Sequence, residues 1–281
     1  MGERFSAFSF VDRITHRAPG RIEGRYTIPA HATRFPAALM AEAVGQLAAW
    51  SAMSSLDFRL RPVAGIAGQT RYYQLARPGQ TLMIEADVEQ CDGEAVAYSG
   101  RAAIDGRCAL ELVDCIGPML PMEEFDAPDA VRADFDTLCG VGATPGRFGG
   151  VAAPQIEIGE HLAGRRLRAT LQIPRRDEAP FFGDHFPRRP VYPGTLLLDA
   201  LTGLAVQLAS EAVPGNAARV LTTTLVTDVK IRAFTPPGAR LELGAEVLGA
   251  DVGGARLKLV AHSDGKSIAS ARVEVGSAGS A

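Results

Sequence analysis

The chain repeats itself. Residues 77–89 read RPGQTLMIEADVE and residues 236–248 read PPGARLELGAEVL, so Pro78-Gly79 recurs as Pro237-Gly238, 159 positions on. Asp105-Gly106 recurs as Asp264-Gly265 at the same spacing. Upstream, PAALMAEA from Pro36 matches PGTLLLDA from Pro193 at a spacing of 157, and Ile28-Pro29 matches Ile173-Pro174 at 145, as His16 matches His161. Collinear blocks in one order identify two duplicated copies. The spacing jumps from 145 to 157 because Pro29 and Pro36 are 7 steps apart, whereas Pro174 and Pro193 are 19. The second copy therefore carries 12 extra residues in one loop.

Each copy reads as an opening strand and turn (8–28 and 155–173), a loop, a helix (36–55 and 193–212), and then three or four strands. Segments such as TLMIEADVE and ARLKLVAHS alternate at period two, and Asp-Gly at 92–93, 105–106 and 264–265 predicts hairpin turns. One helix followed by an antiparallel meander predicts an α+β fold with the helix packed on the sheet. Residues 117–154, acidic and Pro-rich and then Gly-rich, read as the linker between a first unit at 1–116 and a second at 155–281.

Composition fits this division. At roughly 150 residues per domain, 281 residues suggest two domains or one doubled unit. With 47% hydrophobic and 22% charged residues the chain is neither a coiled coil nor disordered. A net charge of −3 steers it to neither nucleic acid nor anionic membrane. The four cysteines form no CxxC pair and no zinc spacing, so they read as small buried hydrophobes in a reducing cytosol. The sequence shows neither a signal-peptide core nor an apolar run of membrane-spanning length, so a soluble cytoplasmic protein is expected.

The helices and the longer loop carry the chemistry. Helix 36–53 holds one charged residue, Glu42, and helix 193–210 holds one, Asp199; both are apolar on nearly all sides and read as buried all round. A carboxylate there is desolvated, and unless paired its pKa rises, as general acid catalysis near neutrality requires. A buried acid paired with arginine or backbone amides is the alternative. In the longer loop, PFFGDHFPRRPVYPG from Pro180, aromatics and prolines surround His185, and Pro193-Gly194 opens the helix. Amides at that helix N-terminus are placed to stabilise a carbonyl oxygen or oxyanion.

FFGDHFPRRPVYPGTLLLDAL resembles the active-site motif of the 3-hydroxyacyl-acyl-carrier-protein dehydratases, a hot-dog-fold family with the pattern FFxGHFPxxPVMPG followed by Lxx(E/D)AxxQ. The resemblance implies a tandem double hot-dog, each half a sheet wrapped around a central helix, the halves forming a pseudo-dimer. Within it, His185 matches the catalytic histidine, Asp199 the acidic position and Gly194 the glycine whose amide polarises the thioester carbonyl. Phe182, Phe186, Tyr192 and Pro193 fall on the motif as substrate-binding candidates. Asp184 stands where the family has glycine, and Tyr192 where it has methionine.

The family also implies a site across the interface, histidine from one hot dog and acid from the other, so that His185 faces Glu42. Copy one keeps Glu42-Ala-Val-Gly-Gln46 in full, while copy two reads Asp199-Ala-Leu-Thr-Gly203 without the glutamine. One composite site and one dead pseudo-site follow, the latter with Asp199 opposite the short loop AHATRF at 30–35. His31 in that loop is a candidate displaced histidine; His16 and His161 read as structural and His262 as solvent-facing. The resemblance implies dehydration of (3R)-3-hydroxyacyl thioesters by His185 and Glu42, with Gln46 orienting the acid, in fatty-acid or polyketide-type biosynthesis. It implies an acyl carrier protein partner and no metal or organic cofactor. The pairs Arg165-Arg166, Arg175-Arg176 and Arg188-Arg189 are candidates for the phosphopantetheine phosphate or the carrier, or form a solvated face. A hot-dog thioesterase and a non-catalytic acyl-binding partner are the rival readings.

Overall fold

In the computed structural model residues 5–215 and 220–277 are described. The first copy contains β1 (Arg13–Ala18), β2 (Arg21–Thr27), α1 (Ala38–Ser55), β3 (Leu60–Pro62), β4 (Ile66–Tyr72), β5 (Thr81–Cys91), β6 (Ala95–Ile104) and β7 (Arg107–Pro121). A further helix, α2 (Pro128–Cys139), follows. The second copy contains β8 (Gln155–Leu162), β9 (Arg166–Gln172), a short α3 (Phe181–Asp184), α4 (Gly194–Ala212), β10 (Leu221–Ile231), β11 (Arg240–Asp251), β12 (Gly254–Ser263) and β13 (Lys266–Ser277). β9 starts 145 residues after β2, and β11, β12 and β13 start 159 after β5, β6 and β7.

The strands form one antiparallel sheet in the order β1-β2-β5-β6-β7-β4-β10-β13-β12-β11-β9-β8, with β3 paired to β7 off that path. Each strand left of centre has its repeat-mate at the mirrored place on the right, so the order is a palindrome centred on β4 and β10. At this seam Thr70 pairs with Val226 and Ala67 with Val229. Asp105-Gly106 and Asp264-Gly265 turn β6 into β7 and β12 into β13, all four residues at positive φ, as a tight right-twisted hairpin demands. The turn at Asp92 works differently: its Oδ1 accepts the N–H groups of Glu94 and Ala95.

Each half of the sheet curls around its own helix. α1 buries Leu39, Met40, Val44 and Leu47 against β2, β5 and β6, and α4 buries Leu197, Leu201, Leu204 and Leu208 against β10, β11 and β12. At about 2 kcal/mol per buried aliphatic side chain, these faces fix the helices firmly. Gly100 lets α1 approach: a Cβ there would stand 2.5 Å from Val44 Cγ1. The two helices also touch each other across the seam.

Three expectations about the fold need correction. Of the four cysteines only Cys115 is buried; Cys91 and Cys139 are half-buried and Cys108 is exposed. Residues 117–154 are not a plain linker, because β7 runs through Pro121 and α2 buries Val131, Phe135 and Leu138, one stripe at i, i+4 and i+7. Trp50 stacks on Phe135 with centroids 6.0 Å apart, so α2 is part of the first unit's core. Residues 140–154 carry no regular structure, although Phe148 and Val151 are buried. Nor is α4 buried all round, since Gly203, Gln207 and Ser210 lie exposed on one stripe. Among the described residues no helix is long and apolar enough to cross a membrane.

Candidate active site across the two halves

α1 and α4 meet beneath a cavity of about 1240 Å3. Glu42 enters it from the second turn of α1. Its Oε2 accepts a hydrogen bond from Thr195 Oγ1 of α4 at 2.8 Å, and its Oε1 one from Gln46 Nε2 at 3.0 Å. The acid of copy one is thus held by the helix start of copy two. Burial pushes the Glu42 carboxyl up, against the opposing effect of the Gln46 and Thr195 hydrogen bonds and the Arg61 charge.

His185 follows α3 and lines the same cavity. Its Nδ1 stands 3.3 Å from the Val191 carbonyl, which favours the tautomer that leaves Nε2 as the free base. Phe186 stacks on the imidazole with centroids 4.1 Å apart, and Phe8 meets it edge-on at 5.1 Å. The Arg61 guanidinium lies 4.4 Å from the Phe186 ring centroid. Burial first, and the Arg61 charge further on, lowers the His185 pKa from 6.5 to about 4.

Phe8 is placed by residues of both halves. Asp184 Oδ2 accepts the backbone N–H groups of Ser6, Ala7 and Phe8 at 3.2, 2.7 and 3.0 Å. Gln46 Oε1 accepts the Phe10 N–H at 2.8 Å, and Gln46 Nε2 donates to the Phe8 carbonyl at 3.2 Å. The N-terminal segment is therefore a strap tied across His185. Asp184 replaces the family's glycine, and that departure was the one sequence signal of its role; Thr195 had none.

The remaining candidates divide. Gly194 and Tyr192 line the cavity with Phe186 and Gln46. A Cβ at Gly194 would meet Ile231 and Ala64 only in ordinary contact, at 3.5 and 3.7 Å, so the protein's own packing does not demand glycine there. Phe182 is buried in the core against Phe181 and does not line the cavity; Pro193 caps α4 from outside the lining. Asp199 lines the cavity, and its Oδ2 is bound by the Arg34 guanidinium of the short loop. Burial raises its pKa, opposed by Arg34. His31 is exposed, as is His16; His161 contacts Glu211 at 2.8 Å, and His262 is half-buried rather than solvent-facing. None of these four lines the cavity. Among the arginine pairs, Arg176 and Arg188 border the cavity, whereas Arg166, Arg175 and Arg189 pair with Glu160, Asp177 and Glu124. Among the described residues no group of three or more His, Cys, Asp or Glu side chains converges to hold a metal.

Two helices wrapped by one palindromic sheet, with a histidine loop from one half beside an acid helix from the other, define a double hot-dog protein. A FabA-like domain is recognised over residues 157–272. The 3-hydroxyacyl-[acyl-carrier-protein] dehydratase FabZ of Ruminiclostridium cellulolyticum is 32% identical over 111 residues, 40% of this chain and 76% of the relative. That of Sorangium cellulosum is 46% identical over 70 residues, 25% of this chain and 45% of the relative. The chain thus spans about half the length of some of the curated relatives it matches. An acyl-ACP thioesterase structure from Bacteroides thetaiotaomicron superposes at a TM-score of 0.54 and 9% identity, covering 92% of this chain and 98% of that one, a likeness of fold. The chain belongs to the 3-hydroxyacyl-acyl-carrier-protein dehydratase family.

Proposed function

We propose that this protein removes water from (3R)-3-hydroxyacyl thioesters, carried on acyl carrier protein or coenzyme A, to give trans-2-enoyl thioesters. The observation that carries this is the composite site: Glu42 of α1, held by Thr195 of α4, shares one cavity with His185 of the second copy. Neutral His185 takes the C2 proton through Nε2. Protonated Glu42 gives its proton to the C3 hydroxyl, which departs as water as the C2–C3 double bond forms. Amides at the start of α4, at Gly194, stabilise negative charge on the thioester carbonyl. Gln46 holds Glu42 in place. Only protons and water change hands, so the phosphopantetheine arm is the one prosthetic group the reaction uses. Arg176 and Arg188 at the cavity edge are placed to meet that arm's phosphate or an acidic carrier surface.

Incubation with a 3-hydroxyacyl carrier protein, followed by intact mass, tests this directly. Loss of one water supports the proposal; release of free acid makes the protein a thioesterase, and an unchanged mass makes it a binding partner. His185→Ala and Glu42→Gln should each lower kcat by about 100-fold or more, and Asp199→Asn by far less. A reversal between the two acids would overturn the composite site.

A further inference from the structure

Asp199 lines the same cavity as Glu42 and His185. Thr195 touches Glu42, and Asp199 follows four residues along α4, one helical turn or ~6 Å down the axis. This second place is polar. Arg34 binds Asp199 Oδ2, and among the described residues nothing hydrogen-bonds Oδ1. Tyr72 and Tyr192 line the same cavity, and the Asp199 charge reaches both phenols. Burial first, and the Asp199 charge second, keeps both phenols protonated by raising them well above their ordinary value. Tyr192 is 9% exposed. No described residue hydrogen-bonds the hydroxyl of either tyrosine, and neither hydroxyl is sealed off from the cavity, so both are open to a ligand there. Thr202, by contrast, donates to the Leu198 carbonyl at 2.9 Å.

We propose that Tyr72, Tyr192 and the Arg34–Asp199 pair form a subsite for an uncharged oxygen-bearing group, a hydroxyl or ketone, carried on the acyl chain a few carbons beyond the reacting ones. The charges of Arg34 and Asp199 cancel, which favours a neutral group over a carboxylate. Two phenol donors and one free carboxylate oxygen match a hydroxyl, which donates and accepts, or a ketone, which accepts. A plain alkyl chain displaces water from these groups and leaves them unpaired, and such mismatches are the strongest discriminators available to a binding site. His31 does not reach this place, so the subsite binds without performing the dehydration chemistry. The inference rests on the dehydratase reading and names its substrate class.

The test compares two 3-hydroxyacyl pantetheine thioesters of equal length, one with a further hydroxyl or ketone along the chain. For the full-length protein kcat/KM should favour the oxygenated chain by roughly tenfold or more, and Tyr72→Phe and Tyr192→Phe should each bring that ratio toward one. Equal turnover of the two substrates, or a ratio that both variants leave intact, overturns the subsite. If neither substrate is dehydrated, the dehydratase reading fails, and calorimetry with the corresponding thioesters lacking the 3-hydroxyl decides the subsite alone. Tighter binding of the oxygenated chain, weakened in Tyr72→Phe, sustains it; equal binding overturns it.

Discussion

Burial moves His185 and Glu42 in opposite directions, the imidazole pKa down and the carboxyl pKa up, each toward its uncharged form. The same burial has a conformational cost. The imidazole, displaced from 6.5 to about 4, contributes stability that is fully present above pH 6.5 and is lost as pH falls toward 4. At about 1.4 kcal/mol per pH unit, the loss by pH 4.5 is about 2–3 kcal/mol. The unfolding free energy from urea titrations should therefore drop further between pH 7 and pH 4.5 for the wild type than for His185→Gln, by about that amount. Glu42 has the reverse sign. Its raised pKa favours the protonated folded state, so stability falls as pH rises through the folded value. Glu42→Gln should melt at the same or higher temperature than wild type at pH 8 while losing activity, a separation that thermal unfolding and turnover together would show.

Among elements, the N-terminal strap joins histidine loop to acid helix. Asp184→Ala removes a carboxylate that collects three backbone N–H groups, and should destabilise the protein by about 1–3 kcal/mol. With Phe8 released, water reaches the imidazole, and the acid limb of the kcat/KM profile should move up from about 4 toward 6.5. Asp184→Asn, which still accepts through its amide oxygen, should restore part of both; an unmoved acid limb in Asp184→Ala would separate the strap from the histidine. None of this was readable in sequence beyond the anomaly of an aspartate in a glycine position. Helices, hairpins and the histidine loop were readable because their causes are local: Asp-Gly turns, period-two strands, an apolar helix with one acid. α2 escaped notice because Pro128 and four aspartates between 126 and 136 look like linker, although the stripe Val131, Phe135, Leu138 was present. Thr195 on Glu42 and Arg34 on Asp199 were hidden for another reason. They join residues 153 and 165 positions apart, and only the packing of α1 on α4 brings them together.

Over the whole molecule, the palindromic sheet places the boundary between the two copies at the seam of β4 and β10. Residues 1–154 carry Glu42 and residues 155–281 carry His185, so each half produced alone should be inactive, and mixing them should restore turnover only as far as they reassociate. Because the sheet runs through the seam and the two helices touch across it, full-length protein should unfold in one transition, with the circular dichroism and Trp50 fluorescence curves coinciding; two separated transitions would contradict a shared core. The cleft formed by two separate subunits empties as they are diluted apart. Here the second half arrives on the same chain, at an effective concentration in the millimolar range for a short tether. The duplication has thereby replaced an association equilibrium with a covalent guarantee: specific activity per chain should stay constant under dilution far below the level at which a two-subunit site would come apart.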